Sequence, residues 1–184
     1  MGTNWKEVWY KKGESNTTNP QELDGFEKTS INPLLVCKAI TKCLNIKPTD
    51  SLLEVGCGAG MLAQHFTCKY KGVDYSETLI AKHKELFEHD VSIAEANKLP
   101  FKNNSFDYCI AYSVFQYFPN KGYSKKVINE MQRISTKGIF IGDLPLLSHD
   151  KNHLLFDKSQ FMDYNTTSGY YNQDRFNVYK NETP

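Results

Sequence analysis

Three glycines at alternate positions give this sequence its clearest chemical signal. The apolar run that starts at Leu52 leads into Gly56, Cys57, Gly58, Ala59 and Gly60. A glycine lets the backbone turn sharply, and it lets a ligand approach the main chain where a side chain would collide. A nicotinamide dinucleotide fingerprint would place its last glycine one position later, where Met61 stands. The acid Glu54 instead precedes the first glycine by two positions.

A second candidate site residue is Asp74, which ends the next apolar stretch, Gly72-Val73-Asp74-Tyr75-Ser76. A carboxylate at the end of the strand after a glycine loop can accept hydrogen bonds from both hydroxyls of a ribose. Tyr75 could cover the face of an adenine ring. The pattern therefore predicts a nucleoside-containing cofactor.

Further along the chain, two more segments follow in a recognisable order. Glu95-Ala96-Asn97-Lys98-Leu99-Pro100-Phe101 precedes Ser105-Phe106-Asp107, and the apolar stretch to Tyr112 follows. With Glu54 and the glycine loop, these segments resemble class I S-adenosylmethionine-dependent methyltransferases of the small-molecule type. The resemblance covers Leu52 to Gly142, about half of the chain.

The resemblance implies roles for individual residues. The backbone of Gly56, Cys57, Gly58 and Gly60 would receive the methionine part of S-adenosyl-L-methionine, with Glu54 as the acid beneath the loop. Glu95, in place of the family's usual Asp, would meet the adenine amino group, and the Ala96 backbone N–H would meet the ring. Asp74 would bind the ribose, with Tyr75 and Tyr112 beside the cofactor. S-adenosyl-L-homocysteine would be the product.

Methyl transfer from a sulfonium is an in-line displacement, so aligning the two reactants supplies much of the rate. An alcohol acceptor needs a nearby base, whereas an anion or a neutral amine needs none. Tyr117, after the fourth strand, Asp143, after the fifth, and His149 are the candidate catalytic residues. We expect a small soluble acceptor, with O-methylation slightly favoured. No metal site is expected, because His149 and His153 lack a third ligand.

These residues need a scaffold of alternating strands and helices. Helical spacing favours helices over 32–44, 60–66, 76–87 and 124–134, with a further helix within 154–161. Short apolar runs predict strands at 51–55, 70–73, 91–94, 106–111, 138–141 and 176–179. Such alternation favours an α/β fold, here a three-layer αβα sandwich with a mostly parallel Rossmann-like sheet. With one strand candidate after residue 142, the prediction includes the alternative of a sheet that lacks its last strand or strands.

The N-terminal 30 residues are polar yet contain Trp5, Trp9 and Tyr10. We therefore divide the chain into an N-terminal lid or tail, residues 1–30, and a cofactor-binding methyltransferase domain, residues 31–184. As a lid, the aromatic residues would close over the sulfonium and exclude water.

Composition narrows the function classes. The 184 residues contain 22 basic and 21 acidic residues, so the formal net charge is +1, which argues against nucleic-acid binding and a polybasic membrane anchor. No apolar run is long enough to span a bilayer. The five cysteines have neither disulfide-framework nor zinc-ligand spacing. We expect a cytoplasmic protein that binds neither nucleic acid nor membrane; its oligomeric state stays open.

Two other functions remain at this stage. The chain could be a catalytically silent binding or regulatory partner that kept the cofactor fold, because no base is certain. It could also be an NAD-dependent oxidoreductase, provided that Met61 tolerates a pyrophosphate.

Overall fold

The computed structural model describes residues 3–150 and 152–181. Within these residues the strands form one seven-stranded sheet. The strands are β1 (Ser51–Val55), β2 (Lys69–Asp74), β3 (Asp90–Ile93), β4 (Phe106–Tyr112), β5 (Ser135–Pro145), β6 (Asn165–Ser168) and β7 (Arg175–Asn181). Their order across the sheet is β3-β2-β1-β4-β5-β7-β6. All neighbours are parallel except that β7 runs antiparallel to β5 and β6.

Helices cover both faces of this sheet, which confirms the predicted α/β fold. The α-helices are α1 (Trp5–Gly13), α2 (Pro20–Leu23), α3 (Pro33–Leu44), α4 (Glu77–Leu86) and α5 (Lys121–Ile134). The apolar face of α3 packs with Leu52 in one buried cluster, and that of α5 packs with Leu53 in another. Adjacent residues of β1 thus point to opposite faces, and both faces are dry, as is usual for parallel sheets.

Local sequence explains where the long helices begin and end. The Asn32 side chain accepts a hydrogen bond from the Leu35 backbone N–H, and Pro33 occupies the first helical position of α3. Asn45 ends that helix in the left-handed conformation. The Asn120 side chain caps α5 in the same way as Asn32 caps α3.

Two predicted helices were wrong in extent. The helix expected over 60–66 is only a 3-10 turn at Ala63–His65, because β2 already begins at Lys69 and leaves no room for a longer helix. The helix expected within 154–161 is a 3-10 turn at Lys158–Phe161.

The alternative of a sheet without its last strands was also wrong, because the sheet contains β7 and β6. β7 spans Arg175–Asn181, longer than the four apolar residues predicted, and β6 adds a further strand at the edge. The sequence of β6 is Asn-Thr-Thr-Ser, and it is largely exposed. A polar edge strand carries no apolar alternation, so the sequence pattern could not reveal it.

The N-terminal segment is folded onto the rest of the chain. Helix α1 lies along α4, where the Thr78 hydroxyl donates a 2.7 Å hydrogen bond to the Tyr10 carbonyl oxygen. A Cβ at Gly13 would lie 2.4 Å from the same hydroxyl oxygen, so the two helices approach very closely at this glycine. This contact places α1 above the carboxyl ends of the parallel strands.

Candidate functional site

A cavity of about 500 Å³ lies at the carboxyl ends of β1, β2 and β4. Ligands of open α/β sheets bind at this edge. The floor is the turn after β1, and helix α1 covers the opposite side with Trp5, Lys6 and Trp9. The other walls include Asp24, Phe26, Asp74, Tyr75, Glu95, Ala96, Tyr112, Tyr117 and Tyr123.

Gly56 and Gly58 line the cavity, and both have backbone angles that favour glycine. Their φ values are 76° and 49°. A Cβ at Gly56 would lie 2.4 Å from a Val114 methyl carbon, and one at Gly58 would lie 2.2 Å from Asp24 Oδ1. Side chains therefore cannot be added at either position without displacing a neighbour.

Gly60 has a different place from the other two glycines. A Cβ there would lie 2.9 Å from His83 Nε2, on the side of α4, and the residue is not part of the cavity wall. Its φ of 96° serves the turn that leaves the loop. Gly60 thus shapes the loop, and the structure does not bring it to the cavity as the sequence predicted.

The Asp74 carboxylate lies beside the glycine loop, at the end of β2. Oδ2 accepts a 3.1 Å hydrogen bond from the Gly58 N–H, and Oδ1 accepts a 2.8 Å bond from the Ser76 N–H. Burial raises the pKa of Asp74 to about 6, although these N–H groups act in the opposite direction. At neutral pH the group is therefore mostly a carboxylate, and it lines the cavity.

Glu54 lies under the loop and is 3% exposed. Its carboxyl accepts a 2.6 Å hydrogen bond from the Tyr70 hydroxyl. Burial, with a smaller effect of the charges of Asp24 and Asp74, raises the pKa of Glu54 to about 8, although the Tyr70 hydrogen bond lowers it. In the free protein Glu54 therefore carries a proton over much of the neutral range.

Glu95 and Ala96 continue the cavity wall beside Asp74, where the Ala94 N–H donates a 2.9 Å hydrogen bond to the Asp74 carbonyl oxygen. Glu95 Oε1 lies 2.5 Å from Lys6 Nζ, and its Oε2 accepts a 3.1 Å bond from the Tyr123 hydroxyl. The Tyr75 hydroxyl donates to the Trp5 carbonyl oxygen at 3.3 Å. This wall is thus tied to α1 from two sides.

Two further predicted residues, Cys57 and Tyr112, also line the cavity. The Cys57 thiol is buried, and burial raises its pKa well above the usual value, so it is not a nucleophile. Tyr112 is 5% exposed, and its hydroxyl has no hydrogen-bond partner among the described residues. A buried hydroxyl without a partner is uncommon and suits a position beside a ligand.

Of the three predicted catalytic residues, Tyr117 lines the cavity. Its ring centroid is 4.8 Å from that of Trp5 and 4.9 Å from that of Trp9. Burial raises the pKa of the Tyr117 phenol to about 12. At neutral pH the phenol is protonated, so it can donate a hydrogen bond but cannot act as a ready base.

The structure does not bring Asp143 to the cavity. A register shift between β5 and β7 gives Asp143 a φ of 62° and turns its side chain into a buried ion pair, with Oδ2 3.0 Å from Arg175 Nη1. β5 continues through Pro145 as the partner of β7, so the residue lies within the sheet rather than after it.

His149 is likewise absent from the cavity wall. Its Nδ1 lies 2.5 Å from Asp174 Oδ2, and its Nε2 lies 3.0 Å from Arg175 Nη2. His153 is 3.1 Å from the same Nε2 and stacks on Trp5. These two histidines form a hydrogen-bonded network beside Trp5 of α1, and neither lines the cavity.

Sequence reasoning missed Asp24, which follows α2 and lines the cavity. Oδ1 accepts a 2.7 Å hydrogen bond from the Ala59 N–H, and Oδ2 accepts a 2.9 Å bond from the Met61 N–H. Burial raises the pKa of Asp24 to about 7, against the effect of these N–H groups. No motif in the sequence links Asp24 to a loop 35 positions away.

The cavity is thus rich in carboxyl groups and poor in cations. Asp24, Glu54 and Asp74 have no ion-pair partner among the described residues, and Lys6, the basic residue of the wall, is paired with Glu95. Buried carboxyl groups without a cation are costly, and they favour a positively charged ligand.

Residues 3–150 and 152–181 contain neither a candidate metal centre nor a candidate membrane-spanning helix. No group of three or more His, Cys, Asp or Glu side chains could hold a metal ion. No helix is long and apolar enough to cross a membrane.

Comparison with known families shows what kind of domain contains this cavity. Residues 53–141 match the family model of a methyltransferase domain. This part of the chain is a methyltransferase domain. The predicted family is therefore confirmed, and the matched segment contains the glycine loop, Asp74, Glu95 and Ala96 of this methyltransferase domain.

Two curated proteins resemble the methyltransferase domain in sequence, and both are uncharacterised. One, from Methanocaldococcus jannaschii, is 38% identical over 97 residues, which cover 52% of this chain and 45% of the relative. The other, from Haemophilus influenzae, is 29% identical over 116 residues, which cover 56% and 46%. The chain spans about half the length of these curated relatives.

Solved structures share the fold of the methyltransferase domain. A Pyrococcus horikoshii protein superposes with a TM-score of 0.67 at 16% identity, with 100% of each chain covered. The magnesium protoporphyrin IX methyltransferase of Synechocystis, solved with S-adenosylmethionine, gives 0.65 at 14% identity and covers 99% of this chain and 93% of its own. A phosphoethanolamine N-methyltransferase of Haemonchus contortus gives 0.71 at 12% identity, with 98% and 48% covered.

Proposed function

We propose that this chain is an S-adenosyl-L-methionine-dependent methyltransferase that methylates a small soluble molecule and releases S-adenosyl-L-homocysteine. One observation carries the proposal: the methyltransferase domain holds a cavity over a glycine loop, and the Asp24, Glu54 and Asp74 carboxyl groups of that cavity lack cationic partners among the described residues. When bound, the cofactor supplies an electrophilic methyl group on a positively charged sulfur. The five free cysteines and the balanced charge support the further proposal of a cytoplasmic protein.

The residues present fit such a ligand. Asp74 is already fixed by two N–H donors and keeps free lone pairs, with which it would accept the two ribose hydroxyls. Glu95 and the Ala96 N–H would bind the adenine edge, with Tyr75 beside the ring. Gly56 leaves its backbone accessible from the cavity.

We propose that residues 1–30 act as a lid on the domain formed by residues 31–184. Trp5 and Trp9 cover the cavity, and the Lys6–Glu95 ion pair holds the helix against the adenine-binding wall. A closed aromatic cover would exclude water and align the reactants. Opening of α1 would be needed for the cofactor and the acceptor to enter.

The acceptor atom follows from the bases within reach. The O-methylation favoured from the sequence requires a base for an alcohol, and Asp143 and His149 lie outside the cavity. Tyr117, with its raised pKa, remains protonated. In this proposal the carboxyl groups of the cavity wall are occupied by the cofactor, so the acceptors that fit are an oxygen that is already ionised and a neutral amine, because neither needs a further base.

The first experiment is calorimetric titration of the full chain with S-adenosyl-L-homocysteine. We expect binding that Asp74→Ala abolishes and that Asp90→Ala leaves unchanged, because Asp90 is a surface partner of Lys71. Equal affinities in wild type and Asp74→Ala would refute the site.

A second candidate, a silent binding partner, is favoured by one observation: Tyr117 is the single predicted catalytic residue that reaches the described cavity. Incubation with S-adenosyl-L-methionine and a metabolite extract separates the two functions. Sustained formation of S-adenosyl-L-homocysteine supports the enzyme, whereas binding without product supports the silent partner.

A further inference from the structure

Asp24 belongs to the N-terminal segment, yet its side chain reaches the glycine loop. It follows α2, and Gly25, with a φ of 81°, turns the chain away immediately afterwards. This sharp turn directs the carboxylate toward Ala59 and Met61, whose N–H groups it accepts. The contact joins residues 1–30 to the floor of the cavity.

Asp24 and Asp74 lie on two sides of the same glycine. The Gly58 N–H donates to Asp74, while the missing Cβ of Gly58 would point at Asp24 Oδ1. An elongated ligand with its ribose at Asp74 would therefore cross Gly58 and end near Asp24. The two oxygens of Asp24 have about four lone-pair positions and accept from backbone N–H groups of residues 59–61, so the carboxylate keeps acceptor capacity for a ligand.

A donor without a partner belongs to the same cavity wall as Asp24. The Trp9 ring packs on Gly25, where a Cβ would be 2.8 Å from the ring edge. Its indole Nε1–H is shielded from solvent and has no acceptor among the described residues, although Trp9 lines the cavity. The Tyr112 hydroxyl is a second unpartnered group of the same cavity wall.

An acid and an unpaired N–H donor in one cavity wall match the two charged groups of an amino acid. We infer that Asp24 and Trp9 bind the amino-acid end of the cofactor, Asp24 accepting from its α-ammonium and Trp9 Nε1–H donating to its α-carboxylate. The N-terminal segment thus distinguishes the intact cofactor from nucleosides that lack the amino-acid end. Glu54 is less suited to the ammonium, because Tyr70 already donates to it.

This inference rests on the proposed function and is tested with two ligands that differ in the amino-acid end. S-adenosyl-L-homocysteine contains it, whereas 5′-methylthioadenosine lacks it, and neither has a charge on sulfur. The affinities of both are measured by calorimetry at neutral pH for wild type, Asp24→Asn, Trp9→Phe and the control Glu22→Gln. Glu22 is an exposed acid of the same segment that accepts from Thr17.

We expect Asp24→Asn to lower the affinity for S-adenosyl-L-homocysteine about tenfold or more, which is the range of a hydrogen bond between charged groups. The affinity for methylthioadenosine should change less than about twofold. Trp9→Phe should also lower the affinity for S-adenosyl-L-homocysteine and not that for methylthioadenosine, but by a smaller factor. Glu22→Gln should leave the affinities for both ligands unchanged. Retained methylthioadenosine binding shows that each variant is folded.

Other outcomes overturn the inference. A parallel loss of both ligands in Asp24→Asn would mean that the residue only supports the glycine loop. Unchanged affinity for both would mean that it does not contact the ligand. If wild type binds neither compound, the proposed function fails and the inference fails with it.

Discussion

Replacing Gly58 with alanine tests whether the space over the loop is as tight as the structure indicates. The added Cβ would lie 2.2 Å from Asp24 Oδ1, so the two atoms must separate by about 1 Å to reach ordinary contact. Oδ1 is held by the Ala59 N–H at 2.7 Å, and that hydrogen bond must break when the carboxylate moves. The φ of 49° adds a backbone cost for any residue with a Cβ.

These two effects set the expected magnitude. An L-residue in the left-handed region costs about 1 to 2 kcal/mol, and losing a hydrogen bond to a charged group costs about 1.5 to 3 kcal/mol. We therefore expect Gly58→Ala to lower the free energy of unfolding by about 3 to 5 kcal/mol, a large fraction of the stability of an ordinary domain. Displacement of the carboxylate should also lower the affinity for S-adenosyl-L-homocysteine by at least about tenfold.

Urea unfolding followed by two signals measures this change. Circular dichroism reports the sheet and helices, whereas tryptophan fluorescence reports α1, because Trp5 and Trp9 are the two tryptophans of the chain. Gly122→Ala is the matched control, since Gly122 lies in α5 without a positive φ and alanine is the better helix former there. Unchanged stability and unchanged ligand affinity in Gly58→Ala would refute the tight contact with Asp24.

Three further predictions address charge. Arg175→Met should lower the free energy of unfolding by about 3 to 5 kcal/mol in urea titrations, because Asp143 would remain buried and unpaired; a loss below about 1 kcal/mol would contradict this. Burial raises the pKa of Glu54 to about 8, so its contribution to stability is present at low pH and is lost as pH rises toward that value. The loss takes place between the ordinary carboxyl pKa of about 4.5 and about 8, so the thermal midpoint of the ligand-free protein should fall between about pH 5 and 8, and less steeply in Glu54→Gln; equal slopes would refute the assignment. Binding of the cationic cofactor favours the ionised forms of Asp24 and Glu54, so calorimetry near pH 7.5 in buffers of different ionisation enthalpy should reveal proton release, which a pH-independent site would lack.

The parts of the fold that the sequence predicts are those whose signal is local. Apolar runs such as 51–55 form buried parallel strands, because both of their faces are covered. Asn32 followed by Pro33 determines where a helix begins through contacts within one turn. Asp74 is predictable because it follows one such strand directly. Edge strand β6 has no such signal, since neither face of it forms the core.

The errors at the site have a common physical cause, which is pairing between distant segments. Asp143 was expected after the end of a strand, but pairing with β7 continues past it. The register shift at this position directs the Asp143 side chain into an ion pair with Arg175. Asp24 reaches the glycine loop only because α1 and α2 fold back over the strand ends. A single sequence contains no spacing rule for such contacts, whereas strand-end positions follow one.

The electrostatics of the cavity and the position of the N-terminal segment depend on one another. Without α1 and α2 the cavity would open to water, which would solvate Asp74 and Glu54 and bring their pKa values closer to those of ordinary carboxyl groups. With the segment in place the same carboxyl groups are dry, and attraction to a cation is stronger in a medium of low dielectric constant. Helices α1 and α2 therefore raise the free-energy cost of keeping these carboxyl groups ionised in the ligand-free protein. They also strengthen the attraction between these groups and a positively charged ligand. Because Asp24 comes from the cover itself, the proposed lid and the proposed recognition of the ligand's charge would belong to the same N-terminal segment.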